Sequence, residues 1–329
     1  MFPMDSEAGR HIFTPVVLQT PDWCSQVVLR NLSAEDLVVQ LTTYMPDSKG
    51  QISQQRTITL AGNGYFKKDN LMRFMRDPLA YALLSAEVVQ GTGSISGCAR
   101  QVSAEHTGAV YPFWKTDSGK HQAVLPYVCD TADFRSSMGL CNTSSQEITI
   151  TASLVSAGSV VDQQAYQLAP MSYLAVADVA GTFAKTGKYS GTQGYVRLTS
   201  AHAFHAIGGI IDRQTNDPCV YGDAAPFTSG FTPLIIRNPV WRTCLFLAND
   251  TADTANVMLS LYEDGQHSAD LPVCVPAMSV LCLEDVMSLF HTERECGTLF
   301  ISSVTPVYAI VQQRTCQGTG GVYPIFRQE

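Results

Sequence analysis

The sequence lacks a high density of charge, an excess of positive charge and any long uninterrupted apolar run. Only 15% of its 329 residues are charged, against about 25% in an average soluble domain, which argues against disorder and against a long solvated helix. The net charge of −8 disfavours a nucleic-acid partner, because phosphate binding needs a basic surface. No apolar run approaches the roughly 18 residues that span a bilayer. The start of the chain also lacks the basic-then-apolar pattern of a signal peptide. We therefore expect a folded chain with no transmembrane segment and no nucleic-acid partner.

What the sequence does contain is a long internal repeat. Three landmarks recur with the same offsets of 111 and then 107 residues: a proline, an aromatic residue and an asparagine. Chance does not keep three landmarks in register twice, and repeats of this kind decide the fold. The landmarks are Pro15, Pro126 and Pro233, then Trp23, Phe134 and Trp241, and finally Asn31, Asn142 and Asn249.

Two later blocks extend the repeat. The second block begins at Leu60, Leu168 and Val275, and a third block aligns Gly97 with Gly194 and Gly297. The offset between the first two copies falls to 97 residues at the third block. The alignment therefore predicts extra length in the first copy at about residues 76–93, as a local elaboration.

The apolar pattern within each copy has a period of two and is interrupted by turn residues, which is typical of strands joined by hairpins. Several strands in about 100 residues predict an antiparallel β-sandwich. We expect an all-β protein of three tandem sandwiches, called unit 1 (residues 11–115), unit 2 (121–215) and unit 3 (228–329). Each unit should also hold one short helical turn, because Asn70, Asp178 and Asp285 occupy corresponding places and suit a helix N-cap.

These blocks resemble a loosely defined group of bacterial tandem β-sandwich repeats. The shared pattern is an aromatic turn, then "L-x-N-x-S/T", a hairpin, "L-x-P-x-x-S/T" and a late "G-x-x-x-V/I-x-S" strand. Unit 1 departs from it with Gly62 in place of the proline. The resemblance implies an immunoglobulin-like or fibronectin-like surface module and carries over no catalytic residue.

The asparagines of the repeat, Asn31, Asn142 and Asn249, allow two interpretations. Each begins an N-x-S/T sequence, which is the acceptor for N-linked glycosylation. The same residues suit a structural turn, in which the asparagine and the hydroxyl bond to the nearby backbone. Because the motif recurs at one place in all three units, we favour the turn.

The ten cysteines do not recur at equivalent positions of the repeat. Free core thiols and one or two disulfides are equal alternatives, and Cys274–Cys282 and Cys296–Cys316 in unit 3 are the favoured bridges if any form. The chain has no C-x-x-C motif, and His202 and His205 should lie on opposite faces of a strand. We therefore predict neither a metal site nor a cofactor.

Aromatic residues near the ends of two units are the candidate binding residues. Exposed rings stack on sugars or anchor a partner chain. The alternative, which we favour because the rings adjoin predicted linkers, is that they seal junctions between units. The candidates are Tyr111, Phe113, Trp114, Tyr323 and Phe326.

The function predicted first is a non-enzymatic structural or interaction protein. Exposed edge strands would allow self-association or binding of another protein, and we expect an extracellular or cell-surface location. The alternative is an array of carbohydrate-binding modules. A hydrolase with a site between units ranks last, because no serine stands midway between glycines as a nucleophile elbow requires.

Overall fold

A computed structural model describes residues 6–46, 50–103, 108–184, 193–315 and 320–327 of the chain. These residues form four antiparallel sheets with only short helical segments. The prediction of an all-β protein with several β-domains is therefore confirmed. Within the described ranges, no helix is both long enough and apolar enough to cross a membrane.

Unit 1 has two separate sheets, of order β4-β3-β6-β1-β9 and β5-β2-β7-β8. Their facing side chains are apolar, and Phe13, Val27 and Leu41 are fully buried between them. The strands are β1 (His11–Leu18), β2 (Trp23–Asn31), β3 (Leu37–Tyr44), β4 (Ile52–Leu60), β5 (Tyr65–Lys68), β6 (Tyr81–Gln90), β7 (Ile95–Ser103), β8 (Val110–Pro112) and β9 (Trp114–Lys115).

Unit 2 repeats this arrangement as one connected sheet of seven strands, because one long strand pairs on both sides of the sandwich. Its last strand lies beyond the predicted end at residue 215 and pairs with the long strand, so it belongs to this unit. The strands are β10 (Lys120–Cys129), β11 (Phe134–Asn142), β12 (Ile148–Ser156), β13 (Ser159–Leu168), β14 (Ser172–Val176), β15 (Gln193–Asp212) and β16 (Pro218–Gly222).

Unit 3 forms a connected sheet of eight strands around a second long strand. Its hairpin turns through Asp264 and Gly265, which have φ of 50° and 77°, the left-handed pair of a two-residue hairpin. The strands are β17 (Phe227–Ile236), β18 (Trp241–Asn249), β19 (Ala255–Glu263), β20 (Gln266–Val275), β21 (Ser279–Leu283), β22 (Cys296–Thr315), β23 (Gly320–Pro324) and β24 (Phe326–Arg327).

The long strands correct the predicted alignment of the third block. The first half of β15 pairs with β10 and β12, and its second half pairs with β11. In unit 1 the same two roles belong to β6, which pairs with β1 and β3, and to β7, which pairs with β2. Gly97 pairs with Leu29, and Ala206 pairs with Leu140, the equivalent leucine of unit 2. Gly97 therefore corresponds to Ala206 and not to Gly194. Residues 76–93 contain a strand common to all units rather than an added elaboration.

Each unit carries the predicted helical turn with the predicted cap. The turns are α1 (Leu71–Met75), α2 (Val179–Ala184) and a 3₁₀ turn at Val286–Phe290. The Asn70 side chain accepts from the backbone N–H of Arg73 at 3.0 Å, and Asp178 and Asp285 accept from the backbone N–H three residues on, at 2.9 and 3.3 Å. A short side-chain acceptor at this position satisfies a backbone donor that the first turn leaves unpaired.

The hydrophobic cores do not stop at the unit boundaries. The core of unit 1 also contains Cys141, Ile207 and Val220 of unit 2. The core of unit 2 in turn contains residues of unit 3, among them Cys244 and Phe246. Burial of apolar surface across both boundaries stabilises one arrangement of the three units.

Candidate functional site

The repeated asparagines are buried hydrogen-bonding centres. The Nδ2 of Asn142 donates to the carbonyl oxygens of Gln146, Leu168 and Ala169 at 2.7, 3.1 and 2.9 Å. Its Oδ1 accepts from the backbone N–H and the hydroxyl of Ser144 at 2.9 and 2.7 Å. The equivalent bonds join Asn31 to Ser33, Glu35, Leu60 and Ala61, and Asn249 to Thr251, Asp253, Val275 and Pro276.

This geometry is that of the structural turn. All three asparagines are fully buried, and each Nδ2 already faces three carbonyl oxygens, which leaves no space for a glycan in the folded chain. Each asparagine is the last residue of a strand. Its backbone is therefore extended, and the turn does not use a left-handed asparagine. The left-handed residues lie instead in the second block, at Met171 and Met278 with φ of 47° and 45°.

The described cysteines are free thiols, and they include Cys274, Cys282 and Cys296. The favoured Cys274–Cys282 bridge is thus not formed, and Cys316 of the other favoured pair lies outside the described residues. Burial raises the pKa of Cys282 to about 12, so its thiol stays protonated. Among the described residues, no group of three or more His, Cys, Asp or Glu side chains is arranged to hold a metal ion.

The candidate aromatic residues separate into two sets. Tyr111, Phe113 and Trp114 are only 7%, 0% and 8% exposed, so they offer no exposed surface for stacking, and their burial agrees with the favoured interpretation of rings that seal a junction. They are buried because β8 and β9 close the core of unit 1 against unit 2. Phe326 is 51% exposed, and Tyr323 lies on β23, where its backbone faces Val311.

Each unit has several strands that pair on one side only within the described part of the chain, and in each the outer strand of the central hairpin is one of them: β4, β13 and β20. Strand β20 contains Pro272, which has no N–H to offer another strand. Strand β13 carries the inward charge of Asp162, which is 6% exposed. Proline and inward charges are known means of protecting a sheet edge. Strand β4 has neither. Its Ile52 is 48% exposed, and the guanidinium of Arg56 is held 3.8 Å from the ring of Phe74.

A cleft of about 200 Å³ lies where the three units meet. Unit 1 contributes Trp114, unit 2 contributes Phe204 and His205, and unit 3 contributes Phe227 and Arg327. Binding sites occur preferentially at such boundaries between domains. The cleft is therefore the candidate small-molecule site of the molecule.

Four charged groups line this cleft, and two of them form an ion pair. The Nζ of Lys120 lies 2.5 Å from the Oδ2 of Asp223. The carboxylate of Glu7 accepts from the backbone N–H of Lys115 at 2.6 Å and from the Ser118 hydroxyl at 2.5 Å. With Arg327 as the second cation, positive and negative side chains balance.

His205 forms one buried wall of the cleft. Its ring stacks on Trp114 with centroids 5.6 Å apart and meets the edge of Phe13 at 4.7 Å. Burial lowers the pKa of the imidazole to about 4, so the ring is neutral near pH 7. The backbone of Thr116 bonds to the ring, whereas its Nε2 has no partner among the described residues. His202 lies exposed on the same strand, as the spacing of the pair predicts.

Units 2 and 3 meet through an aromatic stack and a charged cluster. The rings of Tyr127 and Phe246 stack with centroids 3.8 Å apart. Beside them, the carboxylate of Asp250 accepts from the Tyr195 hydroxyl and from the Arg197 guanidinium, whose Nε lies 3.0 Å from Oδ2. The ion pair is largely shielded, because its side chains are 31% and 17% exposed.

A second buried cation lies at this boundary. Arg314 is 6% exposed, its Nε donates to the Cys244 sulfur at 2.8 Å, and its guanidinium carbon lies 4.7 Å from the centre of the Phe134 ring. Nearby, the Cys219 thiol donates across the boundary to the Gly320 carbonyl at 3.1 Å. The thiols here act as hydrogen-bonding groups of the interface.

The sheets define the chain as an all-β, repeat-like, multi-sheet protein. No protein-family profile matches it, and no curated protein matches it. Three solved structures align with it over most of its length. An anti-sigma factor domain-containing protein is 10% identical, with 97% of this chain and 84% of that chain covered and a TM-score of 0.14. A tetra-tandem repeat in the extending region of a large adhesion protein is 10% identical, with coverage of 95% and 73% and a TM-score of 0.15. An anti-sigma factor domain-containing protein from Clostridium clariflavum is 8% identical, with coverage of 97% and 92% and a TM-score of 0.14. Similarities this low carry no functional argument.

Sequence reasoning missed the cleft entirely. Its lining residues Glu7, Lys120, His205 and Arg327 are far apart in the chain, and no short motif connects them. The one available signal was His205 itself, which immediately precedes the apolar run at residues 206–211.

Proposed function

We propose that the chain is a non-enzymatic structural or interaction protein of the immunoglobulin-like or fibronectin-like kind, which associates through the open β4 edge of unit 1. The observation that carries this proposal is strand β4, which pairs only with β3 among the described strands. An exposed edge offers unpaired N–H and C=O groups to a strand of another chain. The shared cores support a structural role, since they present this edge on a fixed body.

The difference between the three edges supports β4 as the associating strand. The edge of unit 3 is interrupted by Pro272, and that of unit 2 carries the inward charge of Asp162. In β4 the exposed side chains of Gln55, Thr57 and Thr59 are uncharged. The one exposed charge of the strand, Arg56, is held against the Phe74 ring. A second copy of this chain is the simplest partner that would supply a matching strand.

The test is the mass of the chain in solution as a function of concentration, measured by size-exclusion chromatography with light scattering. We expect wild type to dimerise with rising concentration and the double variant Gln55→Lys/Thr57→Lys to remain monomeric, because lysines on an edge oppose pairing. The matched control is Gln163→Lys/Gln167→Lys on the β13 edge, which should dimerise like wild type. A wild type that is monomeric at every concentration, or equal loss in both variants, would reject the proposal.

The cellular location remains a prediction. Disulfides persist in secreted and surface proteins and are rare in reducing compartments. The described cysteines are unbridged, so the thiols do not by themselves favour the expected extracellular location. Fractionation of the source cells, with thiol labelling of each fraction, tests it directly.

A further inference from the structure

We propose that the cleft between the three units binds a neutral polyhydroxylated ligand of about one sugar ring. This goes beyond the proposed function, because it concerns a different surface and a different class of partner. The cleft measures about 200 Å³, far more than the roughly 10–15 Å³ that a single water needs on the same measure.

The buried imidazole of His205 requires a hydrogen-bond donor. The residue is 8% exposed, and its Nε2 has no partner among the described residues. Since the ring is neutral and its other nitrogen bonds the Thr116 backbone, Nε2 carries a lone pair and accepts. Buried polar atoms in native proteins are nearly always paired. A ligand hydroxyl in the cleft would supply the missing donor.

The charged groups around the cleft favour a neutral ligand. Lys120 and Asp223 already neutralise each other, and the Glu7 carboxylate accepts two bonds from the protein. With Arg327 balancing Glu7, an anionic or cationic ligand would meet as much repulsion as attraction. Hydroxyl groups suit such a lining, because each both donates to a carboxylate or imidazole and accepts from a lysine or arginine.

The lining also includes apolar side chains, which come from two units. Phe204 of unit 2 and Phe227 and Ile325 of unit 3 line the same cleft. A sugar ring has a C–H face as well as a hydroxyl rim, so it can contact these side chains while its hydroxyls reach the polar groups. A lining that combines apolar contacts with a few placed polar groups is typical of small-molecule sites.

The test is saturation-transfer NMR on the full chain with glucose, galactose, N-acetylglucosamine and myo-inositol as probes. Glycine and acetate, both of which carry observable C–H protons, serve as zwitterionic and anionic comparisons. We expect saturation transfer from at least one of the four hydroxylated probes at millimolar concentration and none from glycine or acetate. Absence of transfer from all four probes, or a preference for glycine or acetate, would overturn the proposal.

Two variants locate the binding. His205→Phe keeps an aromatic ring against Trp114 but removes Nε2, and we expect affinity to fall about tenfold, the effect of losing a hydrogen bond near 1.4 kcal/mol. Arg327→Gln changes an exposed side chain and should weaken binding by about threefold without disturbing the fold. The matched control Arg294→Gln alters an exposed arginine outside the cleft and should bind like wild type. Unchanged binding in both cleft variants, with the fold verified by circular dichroism, would place the ligand elsewhere.

Discussion

The two boundaries between units are built from different chemistry. Between units 1 and 2, the neutral rings of Phe13, Trp114 and His205 pack on one another. Between units 2 and 3, an aromatic stack is accompanied by the Arg197–Asp250 ion pair. Both boundaries bury apolar surface, but the first depends on keeping an imidazole neutral, and the second depends on keeping two charges paired. One repeat has therefore produced two interfaces with different sensitivities, to acid and to salt.

The largest expected effect is on the first boundary. Trp114→Ala should lower the free energy of unfolding by about 3–5 kcal/mol, because truncation of a buried tryptophan leaves a cavity. The measurement is urea denaturation followed by far-UV circular dichroism. Trp241→Ala, which truncates a half-buried tryptophan in unit 3, is the control and should cost clearly less. Equal losses would mean that the aromatic stack contributes no more to stability than a half-buried ring.

The second-largest expected effect is a loss of folding stability in acid, which acts on the first boundary. The unfolded chain protonates His205 at a pKa of about 6.5, whereas the folded chain does so only at about 4. The unfolded state therefore binds more protons between these values, and stability falls as pH falls, by at most about 1.4 kcal/mol per pH unit. Below about pH 4 this loss is complete, and above pH 6.5 it is absent.

The variant His205→Phe isolates this contribution from that of the other titrating groups. Denaturation at a series of pH values between 4 and 7 should show a shallower decline in the variant than in wild type. Parallel pH profiles would indicate that the imidazole is as easily protonated in the folded chain as in the unfolded chain.

The second boundary should respond to charge removal with a smaller effect. Asp250→Asn keeps the shape of the side chain but leaves Arg197 without its counter-ion, and we expect a loss of about 2 kcal/mol, less than for a fully buried pair. Added salt should destabilise wild type relative to this variant, since salt screens the partly exposed ion pair. Thermal unfolding at low and high sodium chloride measures both effects. A stability difference that does not change with salt would contradict this account of the boundary.

Local features of the fold were predictable from the sequence, and long-range ones were not. The helix caps at Asn70, Asp178 and Asp285 were correct because capping needs only the residue itself and the next turn. The third block was misaligned because strands of period two look alike, and unit 1 divides into two strands what the other units build as one. The sequence pattern of Tyr111, Phe113 and Trp114 also could not distinguish exposed rings from rings that close a core.

The same limit applies to the candidate sites. The asparagine turn carries a local signature, the N-x-S/T sequence, so its recurrence at Asn31, Asn142 and Asn249 was readable. Two of the three carbonyls that each Nδ2 bonds lie 26–30 residues further along the chain, and the sequence did not show them. The cleft depends on how three units pack, and packing is set by apolar contacts that are spread over the chain. Its polar groups therefore carry no local signature.

The long strand of units 2 and 3 has a consequence for protein synthesis. Strand β10 pairs only with β15 among the described strands, and more than 60 residues separate the end of one from the start of the other. At about 5–20 residues per second, a ribosome needs several seconds to supply that partner. Until then β10 has no strand to join, and the nascent unit exposes apolar residues that the finished unit covers. Each unit can therefore complete its fold only after its late strand has been synthesised. A chaperone that shields nascent chains would matter most during that interval.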